Sequence, residues 1–435
     1  AASSILYPLL LTPFPGAEMQ RYLPLFWNLS GLLTLAWLLG RWIEEWSTGK
    51  VAVILALVLP FATNMAGVAS LGMEHTLHAL AMAVMLLGFW RFLSKGEVGL
   101  ALIAGVLLAP VLRFEGIGLA LAVSAVVALR GHLRAGAMLA ALALVPVALF
   151  ALFLTSQGLD PVPSSVLAKL SAASDSSDPL SRLLRNLFSV GGLVVLAAFA
   201  FLTAALFNRE NQNLRLFTLV VWLAVLGHLF AGRIGWAARY EHYVLVISAI
   251  ALIPALARGG AFRSVGMIAA LASAAYFLWM NATVYNWTAR GVYLQHAQMA
   301  RIEAELPGVP VAVNDIGRVA WAQDAAVVDL WGLAYANARR ARQEAEGGPV
   351  PGWAGALADA KGARYAMVYA DWFKDGIGAD WRLVATLATP APIGILGSEV
   401  VSIYAIDPTI EDDLRAVIER HAPSMPEGAT LTQVN

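Results

Sequence analysis

Read through a window of about nineteen residues, the apolar positions of this chain gather into about ten segments of membrane-helix character. They are Arg21–Leu39, Val51–Gly67, Thr76–Leu93, Val98–Leu112, Gly116–Leu129, Ala135–Thr155, Leu187–Phe207, Leu214–Phe230, Tyr240–Leu256 and Val265–Asn281. The Pro and Gly inside them do not interrupt the pattern, because both are common in membrane helices. The run from Val98 to Leu129 is about thirty residues, too short for two full spans and too long for one. It predicts two short helices meeting at a turn, with Arg113 and Glu115 at one membrane face.

Beyond about Asn286 the pattern changes to mixed charge with strand-like alternation. Val309–Asn314, Ala326–Leu330, Tyr365–Ala370, Trp381–Leu387 and Val400–Ile406 are rich in β-branched and aromatic residues and read as strands. Gln295–Leu306 and Ala334–Ala345 read as helices, the second closed by Gly347-Gly348-Pro349. After Pro408 comes a helical patch, Ile410–His421, and then an expected loose end. The pattern predicts a polytopic α-helical membrane protein of about ten spans over residues 1–285, followed by a soluble α/β domain over residues 286–435.

Composition agrees with that class. The 435 residues are 59% hydrophobic and 13% charged, where soluble domains carry about a quarter charged residues. Net charge is zero and cysteine is absent, which removes general attraction to nucleic acid and any thiolate chemistry. Basic residues fix an orientation. Arg41 with Lys50, Arg91 with Lys95, Arg130 with Arg134, Arg209 with Arg215, and Arg258 with Arg263 all sit in short loops beside helix ends. These loops are assigned to the cytoplasm, which places both ends of the chain outside. The opening Ala1-Ala2-Ser3-Ser4 has no basic region before an apolar one, so the chain reads as continuing from an earlier span.

Four outer loops carry polar residues suited to chemistry. Gly72-Met73-Glu74-His75 opens a helix whose N-terminus favours a charged Glu74. His75 and His78 share a helical face at metal-ligand spacing, without a clear third ligand, so a divalent metal is an open option. The second loop is Arg113-Phe114-Glu115. The third runs from Gly158 and Asp160 through Pro161, Pro163 and Ser164 to Lys169, then through the polar run Ser174–Ser181, which is long enough to be a cover or a solvent loop. The fourth is Arg233 to Tyr243, in which the planar fork of Arg239 suits a phosphate. Cations beside carboxylates at a membrane surface suit an anionic lipid-linked donor and a hydroxyl acceptor that needs a general base. A transporter would carry charges deep in mid-span and matching broken helices.

These pieces resemble the GT-C-fold membrane glycosyltransferases that use polyprenyl-phosphate-linked sugars. The resemblance rests on the order of Ser3–Leu10, Gly72-Met73-Glu74, Arg113-Phe114-Glu115, the Gly158–Lys169 loop and Arg239-Tyr240-Glu241-His242-Tyr243. Val313–Gly317 and Val328–Leu333 are similar to the outer domain often attached to such enzymes. The resemblance implies inverting transfer of a sugar to a glycan, lipid or protein acceptor on the outer face of a bacterial inner membrane. It implies a donor-phosphate role for Arg239, supported by Lys169 and Arg113. Tyr240 and His242 complete the expected substrate site, with Glu74, Glu115 and Glu241 orienting cations or contacting sugar hydroxyls. The aspartate that the family uses as base or metal ligand belongs to a loop before Ser3, so it maps to no residue here; Glu74, Glu115 and Asp160 are the remaining carboxylate candidates. No cofactor is assigned beyond a possible divalent metal. On this reading the chain as written binds donor but lacks full activity. The alternative is a polytopic transporter or lipid carrier with an outer ligand-capturing domain; a third is an assembly subunit that docks through Val311–Ile406.

Overall fold

The computed structural model describes residues 4–13, 18–171, 179–207, 211–321, 325–348 and 350–434. The chain divides into two compact units: residues 4–161 with 179–281, and residues 162–171 with 282–434.

The first unit is helical. It begins with the short α1 (Tyr7–Leu10), followed by α2 (Leu23–Trp46), α3 (Gly49–Ala62), α4 (Met65–Ser70) and α5 (His75–Lys95). Then come α6 (Leu100–Leu112), α7 (Gly116–Leu129) and α8 (Leu133–Ser156). The helix α9 (Ser164–Ser171) groups with the second unit. The first unit resumes with α10 (Pro179–Leu187), α11 (Val190–Phe207), α12 (Gln212–Ala231), α13 (His242–Arg258) and α14 (Gly260–Met280). Among the described residues, six helices are long and apolar enough to cross a membrane: α2, α5, α8, α11, α12 and α14. Four more, α3, α6, α7 and α13, are apolar but shorter.

Each apolar segment read from the sequence lies on one of these helices, with a difference at Val51–Gly67. There the helix stops at Ala62, and Asn64 adopts a left-handed conformation, φ 56°, before α4 begins. Asn tolerates that region because its short polar side chain bonds locally; here its Oδ1 accepts from Asn281 Nδ2 at 3.1 Å.

Helices α5 and α6 meet backbone to backbone through glycines. A Cβ at Gly105 would stand 2.4 Å from the Met85 amide nitrogen, and one at Gly88 would stand 2.4 Å from that of Leu102. No flexible side chain is there to move aside. Gly105→Val is therefore expected to destabilise the bundle by about 1–3 kcal/mol, the usual penalty for overpacking. A lowered unfolding temperature in detergent would show it, and an unchanged one would contradict the close approach.

The second unit holds a six-stranded sheet of order β2-β1-β3-β5-β4-β6. Its helices include α15 (Asn286–Leu294), α16 (His296–Ala304), α17 (Ala336–Gly347), α18 (Trp353–Ala360), the short α19 (Ala370–Phe373) and α20 (Glu411–His421). The strands are β1 (Val311–Val313), β2 (Val327–Asp329), β3 (Tyr365–Val368), β4 (Arg382–Ala388), β5 (Val400–Ala405) and β6 (Thr430–Gln433). The first three run parallel, and β5, β4 and β6 join antiparallel. Alternation puts the two faces to different uses. Val311 and Val313 pack with Ile302, Ile403 and Leu414 on one side, while Ala312 packs with Leu330, Trp353 and Ala358 on the other.

The expected loose end is corrected here. Residues 430–433 form β6 on the edge of β4, with Leu431 buried and Arg415 Nη1 donating to the Val434 carbonyl at 2.7 Å. A second tie joins α20 to the turn after α16, where Arg420 donates twice to Glu305 Oε2, at 3.1 and 2.8 Å. Those hydrogen bonds hold the Glu305 carboxyl below its ordinary range. The contribution of a depressed carboxylate is complete above its unfolded pKa and fades as pH falls through the lower folded value.

The two sequence motifs of this unit act as backbone clamps. Asn314 Oδ1 accepts the Tyr369 amide at 2.8 Å, tying the ends of β1 and β3. Asp329 Oδ1 accepts the amides of Trp331 and Gly332, both at 3.0 Å, and so shapes the turn after β2.

Candidate functional site

In the helical unit, three loop ends converge. Glu74 stands immediately before α5, Arg113 immediately after α6 and Glu115 immediately before α7. Arg113 is 4% exposed and donates through Nη1 to Glu74 Oε1 at 2.8 Å and through Nη2 to Glu115 Oε1 at 2.5 Å. His75 Nε2 lies 3.2 Å from the same Nη1. The side chain of Glu74 is as hidden as that of Arg113, but that of Glu115 is 34% exposed. A buried charge needs such partners, because losing one leaves the other uncompensated in a low dielectric.

Residues from the chain's start brace this group. The Ile5 and Leu6 amides both donate to the Val111 carbonyl, at 2.9 and 3.0 Å. Tyr7 Oη donates to the Gly72 carbonyl at 2.7 Å and accepts from Asn28 Nδ2 at 3.2 Å. The described part of the Ser3–Leu10 stretch, from Ser4 on, thus meets Gly72–His75 and Arg113–Glu115 in space. Asn28 was not singled out from sequence; a lone amide in the apolar run of α2 was the available signal.

Tyr240 forms the other wall. The Cζ atoms of Arg239, Arg113 and Arg233 stand 5.0, 5.7 and 5.7 Å from the centroid of its ring. His75 meets the same ring edge-on at 5.8 Å. Arg239 also donates to Tyr240 Oη and to the Met73 thioether, each at 3.2 Å, while its buried Nε has no partner. Arg233 lies over the Trp236 ring at 5.1 Å. Neither Arg233 nor Arg239 pairs with a carboxylate among the described residues.

The turn that carries these cations is unusual. Gly235 at φ 97° is followed by Trp236, Ala237 and Ala238 at φ 53°, 63° and 50°. Side chains rarely enter that region, and runs of it are rarer. Glu241 secures the turn: its Oε2 accepts the Gly235 amide at 3.0 Å, and its Oε1 is buried without a partner.

The expected site residues fall in differing surroundings. Arg113 is engaged by two carboxylates. Glu241 faces inward to a backbone amide, where the sequence suggested a cation partner. His242 Nδ1 lies 2.7 Å from the Thr63 carbonyl, inside the helices and away from Tyr240. His78 packs on Tyr243 at 4.9 Å, apart from His75. No group of three or more His, Asp or Glu is placed to hold a metal among the described residues. Asp160, in the turn after α8, is not among the groups touching Arg113. Lys169 belongs to α9, and its side chain lies outside the described residues, as does most of the Ser174–Ser181 run.

The class so defined is a helical bundle with apolar helices of membrane-crossing character, a sheet-bearing second unit, and an arginine–glutamate–tyrosine cluster at the helix ends. Residues 284–404, within the second unit, match a family described only as a domain of unknown function, DUF8728. Comparison with curated proteins and with solved structures finds no match.

Proposed function

We propose that the chain is a membrane-embedded transferase of GT-C type, whose ten apolar helices lie in the bilayer. It takes a sugar from a polyprenyl-phosphate-linked donor at the outer face and passes it to a hydroxyl acceptor. The observation that carries this reading is the pair of arginines, Arg239 and Arg233, stacked on Tyr240 with no carboxylate partner among the described residues. Arg113, by contrast, is paired with two carboxylates. A guanidinium held by an aromatic face and lacking an acid is set up for paired donation to phosphate. Arg113, locked between Glu74 and Glu115, ties the ends of α5, α6 and α7 together beside the Tyr240 ring. Glu115 is the carboxylate with open surface, and it contacts the acceptor or its hydroxyl proton. His78, His228 and His242 are buried within about one turn of the same helix ends, so the polar chemistry gathers on one side, as an enzyme of the outer face needs.

Two measurements test this. Purified chain in nanodiscs is expected to bind polyprenyl phosphate, the fragment common to such donors, saturably. Folded protein that binds none would overturn the reading. Single cysteines at Ser94 and Ser424 are expected to label differently with an impermeant reagent in intact cells, and equal labelling would overturn the orientation.

A further inference from the structure

Arg239 is the cation placed at the donor phosphate, and its side-chain partners are weak competitors for it. Nη2 donates to Tyr240 Oη and Nη1 to Met73 Sδ, each at 3.2 Å. A thioether is a weak acceptor, so phosphate displaces it readily. Met73 sits in the turn before α5, between Gly72 at φ 67° and Glu74. Both neighbours are fixed: the Gly72 carbonyl accepts from Tyr7 Oη at 2.7 Å, and Glu74 Oε1 accepts from Arg113 at 2.8 Å. The backbone thus keeps the sulfur at Arg239, while the unbranched side chain lets it adjust. Met73 is half-buried, whereas Met65, Met82 and Met85 are fully enclosed. A thioether sulfur has two lone pairs, and one N–H engages only one of them.

We propose that Met73 is an oxidation site whose sulfoxide holds Arg239 away from phosphate. The inference rests on the donor-phosphate reading of Arg239. The co-reactant is a peroxide. The sulfur lone pair attacks one peroxide oxygen, so an S–O bond forms and the O–O bond breaks. The leaving hydroxide takes the proton from the transferred oxygen and departs as water; sulfur loses two electrons and the peroxide gains them. A polar sulfoxide then stands where an apolar thioether stood. Its oxygen reaches one bond farther toward a guanidinium nitrogen that is 3.2 Å from the sulfur. It therefore accepts the charge-assisted hydrogen bond that phosphate would take. Arg233, 5.7 Å from the same Tyr240 ring, keeps its charge, so the grip weakens without vanishing. Methionine sulfoxide is enzymatically reducible, so the change can be undone.

The test treats the full chain in nanodiscs with hydrogen peroxide for increasing times. Peptide mapping by mass spectrometry gives the sulfoxide fraction at each methionine, and polyprenyl phosphate binding is measured at each time. Affinity is expected to fall about tenfold, the scale of one charge-assisted contact. The fall should follow Met73 and not Met19 or Met138, which are 65% and 47% exposed. Met73→Leu, which has no sulfur, is expected to keep its own starting affinity through the treatment. Met73→Gln sets an amide oxygen beside Arg239 and is expected to bind weakly before treatment and lose nothing further. Met73 that stays unoxidised while Met19 and Met138 react would overturn the site, and so would complete Met73 sulfoxide with unchanged affinity. An equal loss in Met73→Leu would place the effect at another residue and overturn it too. Untreated wild type that binds no polyprenyl phosphate would instead overturn the donor reading, and this inference with it.

Discussion

Arg113→Met is expected to destabilise the protein by roughly 3–5 kcal/mol, the usual result of removing one partner of a buried ion pair. The substitution leaves Glu74, 4% exposed, facing an apolar thioether in place of a guanidinium 2.8 Å away. Glu115 suffers less because its side chain is 34% exposed and water reaches it. Thermal unfolding in detergent should show a large drop for Arg113→Met and a much smaller one when Glu74→Gln is added. The rescue is the discriminating result, since it removes the stranded charge without restoring the pair. A single variant as stable as wild type would mean that the cluster is hydrated and open.

Donor binding is expected to fall ten- to a hundredfold in Arg239→Ala, the equivalent of about 1.5–3 kcal/mol for a charge-assisted contact. Stability should change little, because among the described residues the polar partners of Arg239 are the Met73 sulfur and the Tyr240 hydroxyl and ring. Arg239→Lys keeps charge but loses the planar fork, so an intermediate affinity is expected. Binding of polyprenyl phosphate, measured beside the unfolding temperature, separates the two effects. Unchanged affinity in a folded Arg239→Ala protein would remove this residue from the site.

The helices were legible because an apolar run declares itself whatever it packs against, and most strands were legible from β-branched alternation. What failed depended on contacts distant in sequence. Thr430–Gln433 contains a single large apolar residue, and it becomes a strand because β4 offers an unpaired edge. Asn64 ends a helix through a partner more than two hundred residues away. At the site, the residue types were visible in their loops, but the pairing was not. Arg113 and Glu74 are 39 positions apart, and no spacing rule links them. Glu241 was expected to orient the site's cations or contact sugar hydroxyls; its position just before α13 turns its carboxylate to the Gly235 amide.

The left-handed run from Trp236 to Ala238 bears on how this chain would respond to selection for heat resistance. Each non-glycine residue in that conformation carries a penalty of roughly 1–2 kcal/mol, and glycine relieves it. Ala237→Gly and Ala238→Gly, which remove only a methyl each, are therefore natural routes to a higher melting temperature. They would also slacken the backbone immediately before Arg239. Heat-hardened descendants of this protein should carry glycine there and grip an anion less firmly, so ranking variants by melting temperature alone would favour those with the loosest hold on ligand.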